Sequence, residues 1–199
     1  DYGGRYSYGN QPGICQLNLE LLQRPLGRVM TAQDLGDGLA PFAEHYRSAY
    51  QGLMLKKLGF ADYTEARGEL LSQTLQMMEQ TQVDYHGFFL SLTEQFSPAW
   101  KCSHENILQP TVDNSDDAVA NLLKAWRQQY HHCLQSLPEE ALDEVGSRLR
   151  RSNPAVVLHR PRIEAIWESI TESDNWEPFY TLVKQIQRPF LSPDHKAVS

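Results

Sequence analysis

Apolar residues recur at three- and four-residue steps over most of this chain, the spacing that gathers them on one face of an α-helix. After Pro12, whose absent N–H is harmless in a first helical turn, Ile14, Leu17, Leu21 and Leu22 follow that spacing, and Pro25 and Gly27 mark a stop. Leu39, Phe42, Tyr46, Ala49, Leu53 and Met54 predict one helix from about Gly38 to Leu58, with Gly59 placed to end it. Asp62 or Thr64 is a cap for the next helix, which carries Leu70, Leu71, Leu75 and Met78. "VDYHGFFLSLTEQF" turns Phe88, Phe89, Leu92 and Phe96 inward, with Gly87 weakening the helix locally.

Turn-forming residues dominate 97–117, which reads as a surface loop. Ser115 or Asp116 then starts a helix with Val119, Leu122, Leu123, Trp126, Tyr130 and Cys133 on one face. The next opens on Ser136-Leu-Pro-Glu-Glu and closes on Arg148, Arg150 and Arg151, a charge order that complements the helix dipole. "NPAVVLHRP" breaks it. Short helices at 162–173 and 176–188 follow, and 189–199 reads as an extended tail. "AVVL" at 155–158 is too short to assert as a strand. The pattern predicts a mainly α chain of about eight helices.

Composition narrows the function classes. Of 199 residues, 41% are hydrophobic, enough for a core, and the net charge of −7 argues against a general nucleic-acid binder. No apolar run is long enough to span a membrane, and the N-terminus lacks a signal-peptide pattern. Asp1 in place of an initiator Met implies processing or an upstream segment. Cys15, Cys102 and Cys133 form neither a CxxC pair nor a zinc spacing and read as reduced thiols of an intracellular protein.

Residue chemistry assigns no catalytic, cofactor-binding or metal-ligating residue. His131 and His132 are adjacent, so on a helix they point about 100° apart and do not share one ion easily. HExxH, EF-hand, GxxxxGK(S/T), GxGxxG and GxSxG patterns are all absent. "DYGGRYSYG" reads as a turn, and "PEEALDE" as a solvated helix start. The most basic patch is Arg148, Arg150, Arg151, His159, Arg160 and Arg162. A helix dipole accounts for the first three; an anionic partner would account for all six.

Four segments carry a family resemblance. "GRYSYGNQPGICQLNLELL" resembles the GRY-(A/S)-(F/Y)-xxQPxxxxWNLxxLAxxL segment of the selenoprotein O family, through Gly4, Arg5, Tyr6, Ser7, Tyr8, Gln11, Pro12, Asn18, Leu19 and Leu22. "YRSAYQGLMLKKLGF" resembles its MxxKLGL helix end through Met54, Lys57, Leu58 and Gly59. "VDYHGFFLSLTEQF" is similar to ADYTxFFRxLS through Asp84, Tyr85, Phe88, Phe89 and Leu92. "RRSNPAVVLHRPRIEAI" is similar to NPxxVLRNxxxxxAI through Asn153, Pro154, Val157 and Leu158. Departures are Leu17 for Trp, Leu90 for Arg, and His159-Arg160 for Arg-Asn.

The resemblance implies the helical C-lobe portion of a protein-kinase-like fold, with 1–199 as its C-terminal helical part. It implies transfer of AMP from ATP, with Mg²⁺, to hydroxyls of protein substrates, by parts of the family upstream of this chain. Those upstream parts and the protein substrates are the implied partners, with no nucleic acid and no membrane. The isolated chain is expected to bind neither ATP nor Mg²⁺ and to be inactive. Arg5, Tyr6, Gln11, Pro12, Asn18, Asp84, Tyr85, Asn153 and Pro154 are then structural or substrate-facing motif positions. Asp1 matches an Asp just before GRY in the family rather than its metal-binding DYGP motif. The closing "KAVS" resembles the family's V-S-(Cys or selenocysteine)-S-S end, implying that Ser199 precedes a selenocysteine. The implied location is intracellular: mitochondrial in a eukaryote, cytoplasmic in a bacterium. The alternative is a non-enzymatic helical interaction module.

Overall fold

Proline, glycine and short polar caps set the helix boundaries. In this computed structural model, which describes residues 7–109 and 117–190, the described residues form α-helices, short 3₁₀ turns and one isolated β-bridge between Pro154 and Phe190. The chain is mainly α, as the periodicity predicts. Its contacts divide it into two units, residues 1–51 and 52–199.

The first unit holds α1 (Gln11–Leu26), α2 (Ala32–Leu39) and the start of α3 (Phe42–Lys57). Pro12 lies in the first turn of α1, as expected. The helix predicted over 38–58 is α3, which starts later, and α2 is a further helix that the periodicity did not predict. Pro41 has no N–H to continue a helical ladder, so α2 ends at Leu39 and α3 begins at Phe42. The start of α2 carries its own signal, Thr31-x-x-Asp34: the Thr31 hydroxyl oxygen accepts from the Asp34 N–H at 3.1 Å. Gly36 and Gly38 dilute the apolar pattern between them. Gln23 Nε2 ties α1 to α2 by donating to the Leu35 carbonyl at 2.7 Å. Neither helix buries a residue: Leu17, Leu21 and Leu22, which share the helical spacing of α1, are exposed. A cavity of about 320 Å³ lies between α1 and α3, lined by Pro12, Gly13, Gln16, Tyr46, Arg47 and Tyr50 among others.

The second unit contains the core. Its elements are the end of α3, α4 (Glu65–Thr81), α5 (Tyr85–Gln95), α6 (Asp117–Gln135), α7 (Leu142–Ser152), α8 (Arg160–Ser173) and α9 (Glu177–Ile186). Thr64 caps α4, accepting from the Arg67 N–H at 3.3 Å, which resolves the choice between Asp62 and Thr64. α4 packs on α6 through Trp126, whose indole N–H donates to Thr74 Oγ1 at 2.8 Å, and through Gln129 Nε2, which donates to the Ala66 carbonyl at 2.8 Å. α5 packs on α7, and α8 on α9. Leu55, Leu58, Phe60, Leu70, Phe89, Trp126, Tyr130 and Leu149 are buried together.

The segment 97–117, expected at the surface, is described as far as Gln109, and that part reaches the core. It makes 3₁₀ turns at Pro98–Lys101 and His104–Asn106 and buries Trp100, Ile107 and Leu108. Lys101 Nζ donates to the Leu137 carbonyl and Arg127 Nη2 to the Leu108 carbonyl, both at 2.7 Å. Of the tail expected at 189–199, Pro189 and Phe190 are described. The Pro189 carbonyl accepts from the Ala155 and Val156 N–H groups at 2.6 and 3.3 Å.

Gly59 ends α3 with φ +91. Its N–H donates to the Lys56 carbonyl and the Phe60 N–H to the Leu55 carbonyl, at 3.0 and 2.8 Å, the bond pair of a Schellman ending. A Cβ at this position would lie 2.7 Å from Val145 Cγ1. Gly59→Ala therefore adds both backbone strain and a core clash. It is expected to lower stability by about 3 kcal/mol, read as a lower urea midpoint at unchanged slope; an unchanged midpoint would contradict this account.

Candidate functional site: a clamp where motif segments meet

Three of the four motif segments converge at the end of α3. A helix leaves its last carbonyls without partners, and a buried helix end must find donors elsewhere. Here three successive carbonyls are satisfied by side chains distant in sequence. The Lys57 carbonyl accepts from Asn153 Nδ2 at 2.9 Å, the Leu58 carbonyl from the Tyr130 hydroxyl at 3.0 Å, and the Gly59 carbonyl from Arg148 Nη1 at 2.7 Å. Burial holds the Tyr130 phenol protonated, pushing its pKa far up, with Cys133 adding to the shift. It is thus a fixed donor.

Asn153 is buried and uses both ends of its amide. Besides the Lys57 carbonyl, its Nδ2 donates to Thr93 Oγ1 at 3.0 Å, and Thr93 in turn donates to the Phe89 carbonyl at 2.7 Å. Its Oδ1 accepts from Lys57 Nζ at 3.3 Å. Lys57 Nζ also donates to the Ser152 carbonyl at 3.2 Å and lies 5.6 Å from the Tyr85 ring centroid and 5.0 Å from that of Phe89. No carboxylate pairs with this ammonium among the described residues. Partial burial lowers its pKa.

Asp84 caps α5. Its carboxylate accepts from the Gly87 N–H at 2.8 Å and the His86 N–H at 3.3 Å. Gly87, read as a weak point, lies in the first turn beneath this cap, where a Cβ would meet Asp84 Oδ2 at 2.5 Å. Tyr85 donates to Met54 Sδ at 3.4 Å. The His86 ring lies 5.4 Å from that of His159. Burial, then His159 and Lys57, lower the His86 pKa; Asp84 opposes them.

Of the motif positions, Asp84, Tyr85 and Asn153 thus fall at or next to the surroundings of Lys57, while Pro154 bridges to Phe190. Gln11, Pro12 and Asn18 lie on α1 in the first unit, where Gln11 and Asn18 are exposed. Arg5 and Tyr6, with Asp1, the loop residues 110–116 and the tail residues 191–199, lie outside the described residues. The arginines of the basic patch make contacts within the fold. Arg148 and Arg151 share Glu144, Arg150 meets Ser147, Arg160 pairs with Glu164 and Arg162 contacts Gln185. His131 Nε2 lies 3.1 Å from the Lys101 carbonyl, while His132 is exposed. Sequence reasoning left out Tyr130, Thr93 and His86 as participants in the site. Nothing in their spacing marks them, because their partners lie far off in sequence.

Chains similar to this one belong to the nucleotidyltransferase class. Protein nucleotidyltransferase YdiU of Gloeobacter violaceus is 43% identical over 191 residues, covering 96% of this chain and 38% of that protein. The protein of that name from Synechococcus elongatus is 41% identical over 189 residues, with 93% and 38% covered. That from Trichodesmium erythraeum is 41% identical over 187 residues, with 94% and 38% covered. A sequence model described as "Protein adenylyltransferase SelO" matches residues 1–187, and the chain belongs to that family. It spans about 38% of the length of these relatives.

Two outcomes follow from the clamp. Asn153→Ala removes donors from two buried acceptors and is expected to cost about 3 kcal/mol of stability, measured by denaturant unfolding; a change below about 0.5 kcal/mol would show the network to be dispensable. The His86 pKa lies below the ordinary histidine value of 6.5 in the folded state. On acidification the unfolded state takes up this proton first, so stability falls as pH drops through about 6.5 and levels off below the folded pKa. His86→Gln is expected to flatten that part of the pH–stability curve between pH 8 and 5; superimposable slopes for the two proteins would exclude the coupling.

Proposed function

We propose that the chain is the helical C-lobe of a protein-kinase-like fold within a longer protein. That protein would transfer AMP from ATP, with Mg²⁺, to Ser, Thr or Tyr hydroxyls of other proteins. The observation that carries the reading is the family match over residues 1–187. In such a transfer a hydroxyl oxygen bonds to the α-phosphorus as the bond to pyrophosphate breaks. Catalysis is then chiefly positioning and charge neutralisation.

Among the described residues no three His, Cys, Asp or Glu side chains gather as metal ligands. In this reading ATP and Mg²⁺ are held by parts of the longer protein outside this chain. The clamp supports a buttressing role. Its polar groups are committed to backbone carbonyls and to one another, and Lys57 is held by neutral oxygens and ring faces. The exposed Trp167, Trp176, Phe179 and Tyr180 of α8, α9 and the turn between them suit contact with protein. Among the described residues no helix is long and apolar enough to cross a membrane. A location inside the cell belongs to the same reading.

The test incubates the full-length protein, and separately the 199-residue chain, with ATP labelled at the α-phosphate and Mg²⁺. Label is expected on protein hydroxyls only with the full-length protein. Self-labelling by the chain alone would overturn the assignment of the chemistry to parts outside it. Absence of protein labelling by the full-length form would overturn the adenylyl-transfer reading and leave the helical interaction module.

A further inference from the structure

Beside the clamp, His86 lies against His159 and shares the Tyr85 ring as a neighbour with Lys57, three cationic or protonatable groups without a counter-anion of their own. Lys57 comes from α3, His86 from the first turn of α5, and His159 from the segment leading into α8. The two imidazoles lie 5.4 Å apart, centroid to centroid. Neither ring has a hydrogen-bond partner among the described residues. An ammonium has three N–H donors; two of those on Lys57 go to the Ser152 carbonyl and Asn153 Oδ1, which are neutral. The charged groups that face His86 are Lys57, His159 and Asp84. Asp84 is the one carboxylate among them, and its two oxygens are engaged by the N–H groups of His86 and Gly87.

We propose that Lys57, His86 and His159 form a binding site for a tetrahedral oxyanion of the phosphate class. The remaining Lys57 N–H and one ring N–H from each histidine are the donors. A dianion matches a cluster that carries up to three positive charges, set against the single negative charge of Asp84. A monovalent carboxylate leaves that charge only partly balanced. Binding favours the imidazolium forms, so it takes up protons and tightens as pH falls. The inference does not depend on the adenylyl-transfer reading, because it rests on three side chains of this chain alone.

Sulfate is the suitable probe, since it stays a dianion from pH 5.5 to 8 and any pH dependence then belongs to the protein. The full-length protein, carbon-13 labelled at histidine Cε1, is titrated with sodium sulfate at constant ionic strength set by sodium chloride. The His86 and His159 signals are expected to shift saturably and the His86 titration midpoint to rise. The apparent affinity should be at least about fivefold tighter at pH 5.5 than at pH 8. Inorganic phosphate should compete, and acetate should not. Because the readout is local, sulfate bound elsewhere leaves these signals unmoved. Lys57 belongs to the clamp, so the control variants are His86→Gln and His159→Gln, neither of which removes a side-chain hydrogen bond among the described residues. In each, the signal of the remaining histidine should lose most of its response while the thermal transition at pH 8 is retained. Shifts that do not saturate, acetate acting as well as sulfate, or affinity independent of pH would each overturn the proposal.

Discussion

The second unit depends on how α3 ends. At Gly59 the chain reverses through a conformation that favours glycine, and the carbonyls of Lys57, Leu58 and Gly59 are each left to find a donor. Asn153, Tyr130 and Arg148 supply them from two other helices and the segment beyond α7. An unpaired carbonyl in such a place costs about 1–3 kcal/mol, so each contact constrains an element rather than decorating it. The three together fix α6, α7 and the start of the 153–159 segment against one short stretch of backbone. Leu58 and Phe60, buried on either side of the glycine, anchor the turn in the core.

Polar groups inside this core are joined into chains rather than scattered. Trp126 donates to Thr74, which donates to the Leu70 carbonyl at 2.7 Å; Asn153 donates to Thr93, which donates to the Phe89 carbonyl at 2.7 Å. In both, a threonine passes the bond back to its own helix four residues earlier, so one side chain serves as acceptor and donor. This lets a large indole and a buried amide enter an apolar interior with their polar atoms paired. The first unit is built differently. α1 and α2 bury no residue, and Leu22, Val29 and Met30 are exposed.

Periodicity made most of the helices legible, and local chemistry marked many of their ends: Pro12 in a first turn, Thr64 as a cap, acidic residues opening α7 and arginines closing it. It failed where its signal was diluted or where the deciding contact was remote. Gly36 and Gly38 dilute the apolar spacing of α2, so that helix was not predicted, and the start of α3 was placed at Gly38, ahead of Pro41. In 97–109 the apolar residues follow no helical or strand spacing, yet Trp100, Ile107 and Leu108 draw the segment into the core. The site was half legible. Short-range roles, such as the cap made by Asp84, follow from residue type. The roles of Tyr130 and Arg148 depend on partners 72 and 89 residues away, which no local pattern encodes.

The motif residues described around Lys57 have physical reasons that stop short of chemistry. Gly59 is glycine because of its φ and because Val145 leaves no room for a Cβ. Asp84 is short and anionic because it closes the first turn of α5. Asn153 must donate twice and accept once from a single planar group, and an aspartate would lose both donors. Each residue type is explained by folding alone. A motif can therefore identify a nucleotidyltransferase family and still describe its scaffold rather than its reaction. The charge left over at this scaffold, on Lys57 and the neighbouring imidazoles, is the part that folding does not account for.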